Sequence, residues 1–137
     1  MKVLIDTNIV IDLVANRGEF AEPAAHLFKL CEVGKVQGYI YALSVANIVY
    51  VMRKELDRSQ IEAIIAKLSS IISIADMKGD DLKKAAALPI PDFEDALQSV
   101  CASRLKADFI ITRNLKDFKN SKIMAIKPTE LIERITE

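Results

Sequence analysis

Two short runs, Val3-Leu4-Ile5 and Phe109-Ile110-Ile111, are apolar at every position. A strand with one wet face alternates apolar and polar side chains, so a run without alternation belongs to a strand covered on both faces. The segments around these runs carry helical spacing instead. Residues 2–6 read as the first buried strand, followed by apolar residues at helical spacing from Ile9 to Ala15. Glu22 to Val33 reads as a helix, with Pro23 in its first turn and Gly34 as its stop. Val36 to Ala42 is the next strand. Ser44 suits the N-cap of a helix reaching about Leu56, and Ser59 suits that of another over Gln60 to Leu68. Ile71 to Ala75 reads as a strand, and Asp80 or Asp81 opens a helix ending before Pro89. Pro91-Asp92 opens the clearest helix, Phe93 to Leu105, ahead of the second apolar strand. Ile123 to Ile126 is a brief strand, and Pro128-Thr129 opens a last helix to about Ile135. Helices alternating with continuously apolar strands predict an α/β fold with three layers, α/β/α, around a central, mainly parallel sheet. With no repeat, low-complexity segment or long linker, residues 1–137 are expected to form a single domain.

Composition narrows the function classes. Hydrophobic residues make up 51% and charged residues 28%, which argues against a disordered chain. No run approaches the ~20 apolar residues that span a bilayer. Asp6 and Asp12 interrupt the apolar start, so it does not read as a secretory signal either. Cys31 and Cys101 are far apart and lack metal-ligand spacing; they suit buried positions in a protein of the reducing cytoplasm. The formal net charge of zero argues against nucleic-acid binding by bulk charge alone. Basic charge is nevertheless concentrated late in the chain, where Arg104, Lys106, Arg113, Lys116 and Lys119 are candidate phosphate contacts.

The acids carry the chemistry. Asp6 ends the first strand, where open α/β sheets place ligand sites. It cannot be buried unpaired without a cost of several kcal/mol or more. Thr112-Arg113-Asn114 ends another strand at the same edge of a parallel sheet, and Asp92 and Asp95 share one face of a helical turn at i and i+3. Converging carboxylates repel until a hard divalent cation neutralises them, and oxygen-only ligands without His or Cys suit Mg²⁺ or Mn²⁺, not zinc.

These segments together resemble the PIN domain family, the fold of VapC-type toxin ribonucleases. The resemblance rests on Val3-Leu4-Ile5-Asp6-Thr7-Asn8, the helix beginning near Ser44, Asp92-Phe93-Glu94-Asp95-Ala96, Ile110-Ile111-Thr112-Arg113-Asn114 with Asp117-Phe118 behind it, and Lys127-Pro128-Thr129-Glu130-Leu131. It covers essentially the whole chain, and its strength lies in the order and spacing of the pieces. It implies an endoribonuclease dependent on Mg²⁺ or Mn²⁺, the toxin of a toxin–antitoxin pair. Its partners would be an RNA substrate, a small antitoxin protein and a second copy in a homodimer. The first catalytic acid matches Asp6 and the helix acid matches Asp95, with Asp92 one turn earlier. Two further expected carboxylates fall on amides, at or near Asn47 and at Asn114. A subgroup of the family carries the Thr-Arg-Asn form with an acid shortly after, here Asp117. On this reading Asp6, Asp95 and Asn114 are catalytic, and Asp6, Asp95, Asp92 and Asp117 hold the metal. Thr7, Asn8, Asn47, Thr112 and Arg113 support them or bind substrate.

Plainer roles stand beside these. Asp6 and Asp92 both occupy N-cap positions, and capping alone accounts for an isolated Asp there. Asn114 and Asp117 suit local turns. Glu94 points away from the Asp92–Asp95 face and reads as solvated. His26 lies far in sequence from the acids. Tyr39, Tyr41 and Tyr50 could stack bases, but packing or a dimer surface explains them as well. The two amides motivate an alternative function, a catalytically weakened PIN domain that binds RNA or a protein without cutting. A phosphatase with an aspartyl nucleophile at Asp6, as in haloacid-dehalogenase-like enzymes, needs a second Asp two residues on, where this chain has Asn8.

Overall fold

The computed structural model describes residues 1–136. In chain order it contains β1 (Lys2–Ile5), α1 (Thr7–Val14), α2 (Ala21–Glu32), β2 (Gln37–Tyr41), α3 (Ala42–Val51), α4 (Arg58–Ile71) and β3 (Ser73–Ala75). There follow α5 (Gly79–Ala86), α6 (Phe93–Leu105), β4 (Phe109–Ile111), β5 (Ala125–Ile126) and α7 (Pro128–Thr136). Short 3₁₀ turns cover Gly18–Phe20 and Leu115–Phe118. The five strands form one sheet in the order β3-β2-β1-β4-β5, and every neighbouring pair is parallel. None of the helices among the described residues is long and apolar enough to cross a membrane.

The continuous apolar runs have the expected cause. Val3 and Ile5 join one core with side chains of α1, α2, α3, α4 and α7, while Leu4 between them joins a second core with α5 and α6. Ile111 and Ile110 divide the same way. Because successive strand residues point to opposite faces, a strand between two helical layers must be apolar throughout.

α5 opens at Gly79, after Lys78 at the N-cap, rather than at Asp80 or Asp81. Two further helix starts depart from the sequence reading. Ser44 does not cap α3. β2 passes directly into α3 with no loop, so Tyr41 takes the N-cap position and Ser44 lies buried inside the first turns. Ser59 does not cap α4 either. Asp57 does, in a reciprocal capping box with Gln60 at 2.8 and 2.9 Å. α3 also stops at Val51, short of Leu56.

Two glycines are needed by the backbone. Gly34, at φ +81°, follows α2 in the left-handed conformation that ends helices. Gly38 in β2 lies where a Cβ would come within 2.7 Å of Cys31 Sγ and 2.9 Å of Ile72 Cγ2.

Strand order decides where a site can form. From β1 the chain moves outward through β2 to β3, then returns to the other side of β1 for β4 and β5. The crevice between the carboxyl ends of β1 and β4 is therefore the point where the winding reverses, the place where such sheets bind ligands. Asp6 follows β1 there and Thr112 follows β4.

Candidate active site

Asp6 leaves β1 with its backbone N–H bonded to the Ile111 carbonyl at 2.9 Å, which ties it to the neighbouring strand. It occupies the N-cap position of α1, but its side chain makes no capping bond. Both carboxylate oxygens are engaged from behind. Gln98 Nε2 donates to Oδ1 at 3.0 Å, and Thr112 Oγ1 donates to Oδ2 at 2.8 Å. Each carboxylate oxygen accepts more than one bond, so lone pairs remain toward the cleft. Burial raises the Asp6 pKa above the ordinary value, against the pull of these two donors.

α6 brings the other acids. Asp92 caps it, Oδ1 accepting the Asp95 N–H at 2.9 Å. The cap fixes Asp95 in the first turn, facing Asp6. Desolvation, reinforced by Asp92, Asp6, Asp117 and Glu94, pushes the Asp95 carboxyl up to about 7. Glu94 is not a solvated bystander. Thr7 Oγ1, at the start of α1, donates to its Oε1 at 3.0 Å and draws it into the same cleft. The reason lies in tertiary contact: α1 and the first turn of α6 meet at the sheet edge, so an acid off the Asp92–Asp95 face is still within reach of Thr7.

The cleft so formed holds about 390 Å³. Five acids line it: Asp6, Asp92, Glu94, Asp95 and Asp117. The remaining lining is Thr7, Asn8, Ile11, Asn47, Tyr50 and Val51, with no Lys, Arg or His among the described residues. The structure thus brings together Asp6, Asp92, Asp95, Asp117, Thr7, Asn8 and Asn47, and it places Thr112 directly behind Asp6. It does not bring in the Asn114 side chain. Asn114 is exposed and its N–H is bonded to Thr112 Oγ1 at 3.0 Å. The 3₁₀ turn that follows is anchored by buried Phe118 and carries Asp117 to the cleft instead.

Arg113 also faces elsewhere. Its guanidinium grips the fully buried Asp12 of α1 through Nε at 2.6 Å and NH2 at 3.1 Å, and it stacks over Phe20 at 4.2 Å. Arg104 is similarly committed to Asp81, which also accepts from Tyr41. Lys106 ends α6 at the opposite edge of the sheet, beside the Leu105 carbonyl that Lys2 contacts. Of the basic candidates, Lys116 and Lys119 reach the site. They line an adjoining groove of about 300 Å³ that shares Asp92, Asp95 and Asp117 with the cleft.

The donor set suits a hard cation. It is oxygen-only, its carboxylates outnumber any local positive charge, and burial together with the neighbouring acids pushes Asp95 up to about 7. The carboxylates are spread along the cleft, however. Among the described residues no three of His, Cys, Asp or Glu converge as a ready ligand group.

Sequence reasoning missed Gln98, Asp12 and the cleft position of Tyr50. Gln98 carried a signal: it is the one long polar side chain in the run Ala96 to Ala102.

A family model described as PIN domain matches residues 2–116. No curated protein matches by sequence. Among solved structures, VapBC2 from Rickettsia felis bound to a DNA fragment from its promoter aligns with TM-score 0.72 and 18% identity, covering 93% of this chain and 98% of that one. A toxin–antitoxin complex from Klebsiella pneumoniae aligns with TM-score 0.70 and 25% identity, covering 92% and 97%. PAE2754 from Pyrobaculum aerophilum aligns with TM-score 0.68 and 16% identity, covering 99% and 90%.

Proposed function

This chain belongs to the PIN domain family, and we propose that it is a divalent-metal-dependent endoribonuclease acting as the toxin of a toxin–antitoxin pair. The observation that carries the reading is one cleft at the crevice between β1 and β4 lined by five carboxylates, where burial and the neighbouring acids push Asp95 up to about 7. Similarity to toxin–antitoxin structures supports the biological role and an antitoxin partner. The reading includes one catalytic domain over residues 1–137, a cytoplasmic location and a homodimer. Free, buried Cys31 and Cys101 fit a reducing compartment.

Asp6 and Asp95 would hold Mg²⁺ or Mn²⁺, with Asp92, Glu94 and Asp117 adding charge. When bound, the cation supplies a water of lowered pKa and neutralises the phosphate. The chain's own residues do the rest. Gln98 and Thr112 keep the Asp6 carboxylate aimed into the cleft. Thr7 keeps Glu94 beside it. The Asp92 cap fixes the Asp95 backbone. Lys116 and Lys119 take a neighbouring phosphate in the adjoining groove. Asn114 contributes its backbone N–H to Thr112 and so acts on Asp6 at one remove.

The test is RNA cleavage with Mn²⁺ by wild type, Asp6→Asn and Asp95→Asn. Each substitution is expected to remove activity, and equal activity in all three would refute the site. The spread of the carboxylates favours one other reading, a weakened domain that binds RNA or a protein without cutting it. Calorimetry showing no Mn²⁺ binding, together with no cleavage, would decide for that.

A further inference from the structure

The cleft lining divides by element. The carboxylates come from the end of β1, the start of α6 and the 3₁₀ turn after β4, whereas α1 and α3 contribute only neutral groups, among them Asn8, Asn47, Tyr50 and Val51. A wall of amides and an aromatic ring offers nothing to a phosphate that Lys116 and Lys119 do not offer better. It suits a nucleobase, which has a π-face to stack and edge groups to hydrogen-bond.

Tyr50 is built for that use. It stands on α3 with 64% of its surface exposed, whereas Tyr41 is fully buried and Tyr39 half-buried. Arg53 backs it, with the guanidinium 4.0 Å from the ring centroid and NH1 donating to the Tyr50 carbonyl at 2.7 Å. The guanidinium thus packs on one face of the ring and supports its orientation. The half-buried Asn47, one turn earlier on α3, places an amide on the same wall. Arg53 also sets a cation beside the ring, where it can balance the phosphate that a stacked nucleotide brings.

Resting on the ribonuclease reading, we propose that Tyr50, backed by Arg53, stacks one unpaired nucleobase beside the scissile phosphate, with Asn47 contacting the base edge. The RNA strand then crosses the acids from the Tyr50 rim toward Lys116 and Lys119. A base within a duplex cannot reach the ring, so the subsite selects unpaired RNA.

The test uses a short unpaired oligoribonucleotide carrying one 2-aminopurine, whose fluorescence is quenched by stacking, with wild type, Tyr50→Phe and Tyr50→Ala. Wild type and Tyr50→Phe are expected to quench the probe, and Tyr50→Ala is expected to lose the quenching. In cleavage with Mn²⁺, Tyr50→Ala should raise KM by about tenfold or more, the scale of one lost stacking contact, while changing kcat less. Wild-type cleavage with unchanged KM and quenching in Tyr50→Ala would overturn the proposal and leave the nuclease reading intact. Quenching that depends on Tyr50 without any cleavage would support the subsite and overturn the nuclease reading. Tyr50→Ala that sediments as a monomer where wild type is a dimer, with quenching retained, would assign Tyr50 to a contact between copies and overturn the proposal.

Discussion

Gln98 reaches from the middle of α6 to donate a 3.0 Å hydrogen bond to Asp6, 92 residues earlier at the end of β1. Its side chain is almost completely buried and its Oε1 has no hydrogen-bond partner among the described residues. An unsatisfied buried acceptor costs about 1–3 kcal/mol. A leucine of similar size would fill the same space without that cost, so the amide is there for Asp6. Gln98→Leu is expected to keep its Tm within a few degrees of wild type, because the lost bond and the relieved acceptor offset each other. Mn²⁺ affinity and RNA cleavage should each fall about tenfold or more, the scale of one lost charge-assisted bond. Calorimetry and cleavage at wild-type levels would show that Gln98 does not position Asp6.

Asp95 makes stability depend on pH in an unusual direction. Its folded pKa, about 7, lies above the ordinary 3.8. The folded protein therefore keeps a proton that the unfolded chain releases, and the stability this contributes is present below 3.8 and lost as pH rises through about 7. Asp95→Asn should melt higher than wild type near pH 8, and the gap should close toward pH 4. Mn²⁺ should recover the wild type near pH 8 and do so less for the variant. Melting curves across that range check both statements. A gap independent of pH would mean that Asp95 ionises normally.

The Asp12–Arg113 pair holds the loop after β4 against α1. Asp12 is fully buried, and Arg113 bonds it with both Nε and NH2. Arg17, at 3.9 Å, is a weak second partner. Arg113→Ala leaves the buried carboxylate without its main partner and should cost about 3 kcal/mol or more. The double variant Asp12→Leu/Arg113→Met should recover much of that loss, since an apolar pair avoids the desolvation. Denaturant midpoints of the three proteins measure it. A double variant no more stable than Arg113→Ala would mean that the cost came from packing over Phe20.

Gly38 is fixed by its neighbours. A methyl group there meets Cys31 Sγ at 2.7 Å, Ile72 Cγ2 at 2.9 Å and Ile5 Cδ1 at 3.3 Å. Gly38→Ala should lower stability by about 1–3 kcal/mol, the usual cost of overpacking. Combining it with Cys31→Ala, which removes the Sγ that the new methyl group meets at 2.7 Å, should recover part of the loss in the same denaturant melts.

The layers and the anchor of the site follow from local pattern. Val3 to Ile5 and Phe109 to Ile111 had to lie between helices, because only a doubly covered strand tolerates apolar residues at every position. Asp6 and Thr112 had to end at one edge, because parallel strands share their direction. Asp92 and Asp95 were legible through the local geometry of a capped first turn. What tertiary structure alone decided was which partners these residues meet. Glu94 looks solvated on its own helix and becomes part of the cleft because Thr7 of α1 lies beside it. Arg113 looks like a phosphate contact and is withdrawn by Asp12, 101 residues away. Asn114 stays outside the cleft that Asp117 lines, in a turn whose Phe118 is buried. Local spacing fixes the face a side chain occupies. The packing of distant elements fixes whether that face meets a charge, a donor or water, and a carboxylate's chemistry depends on which of these it meets.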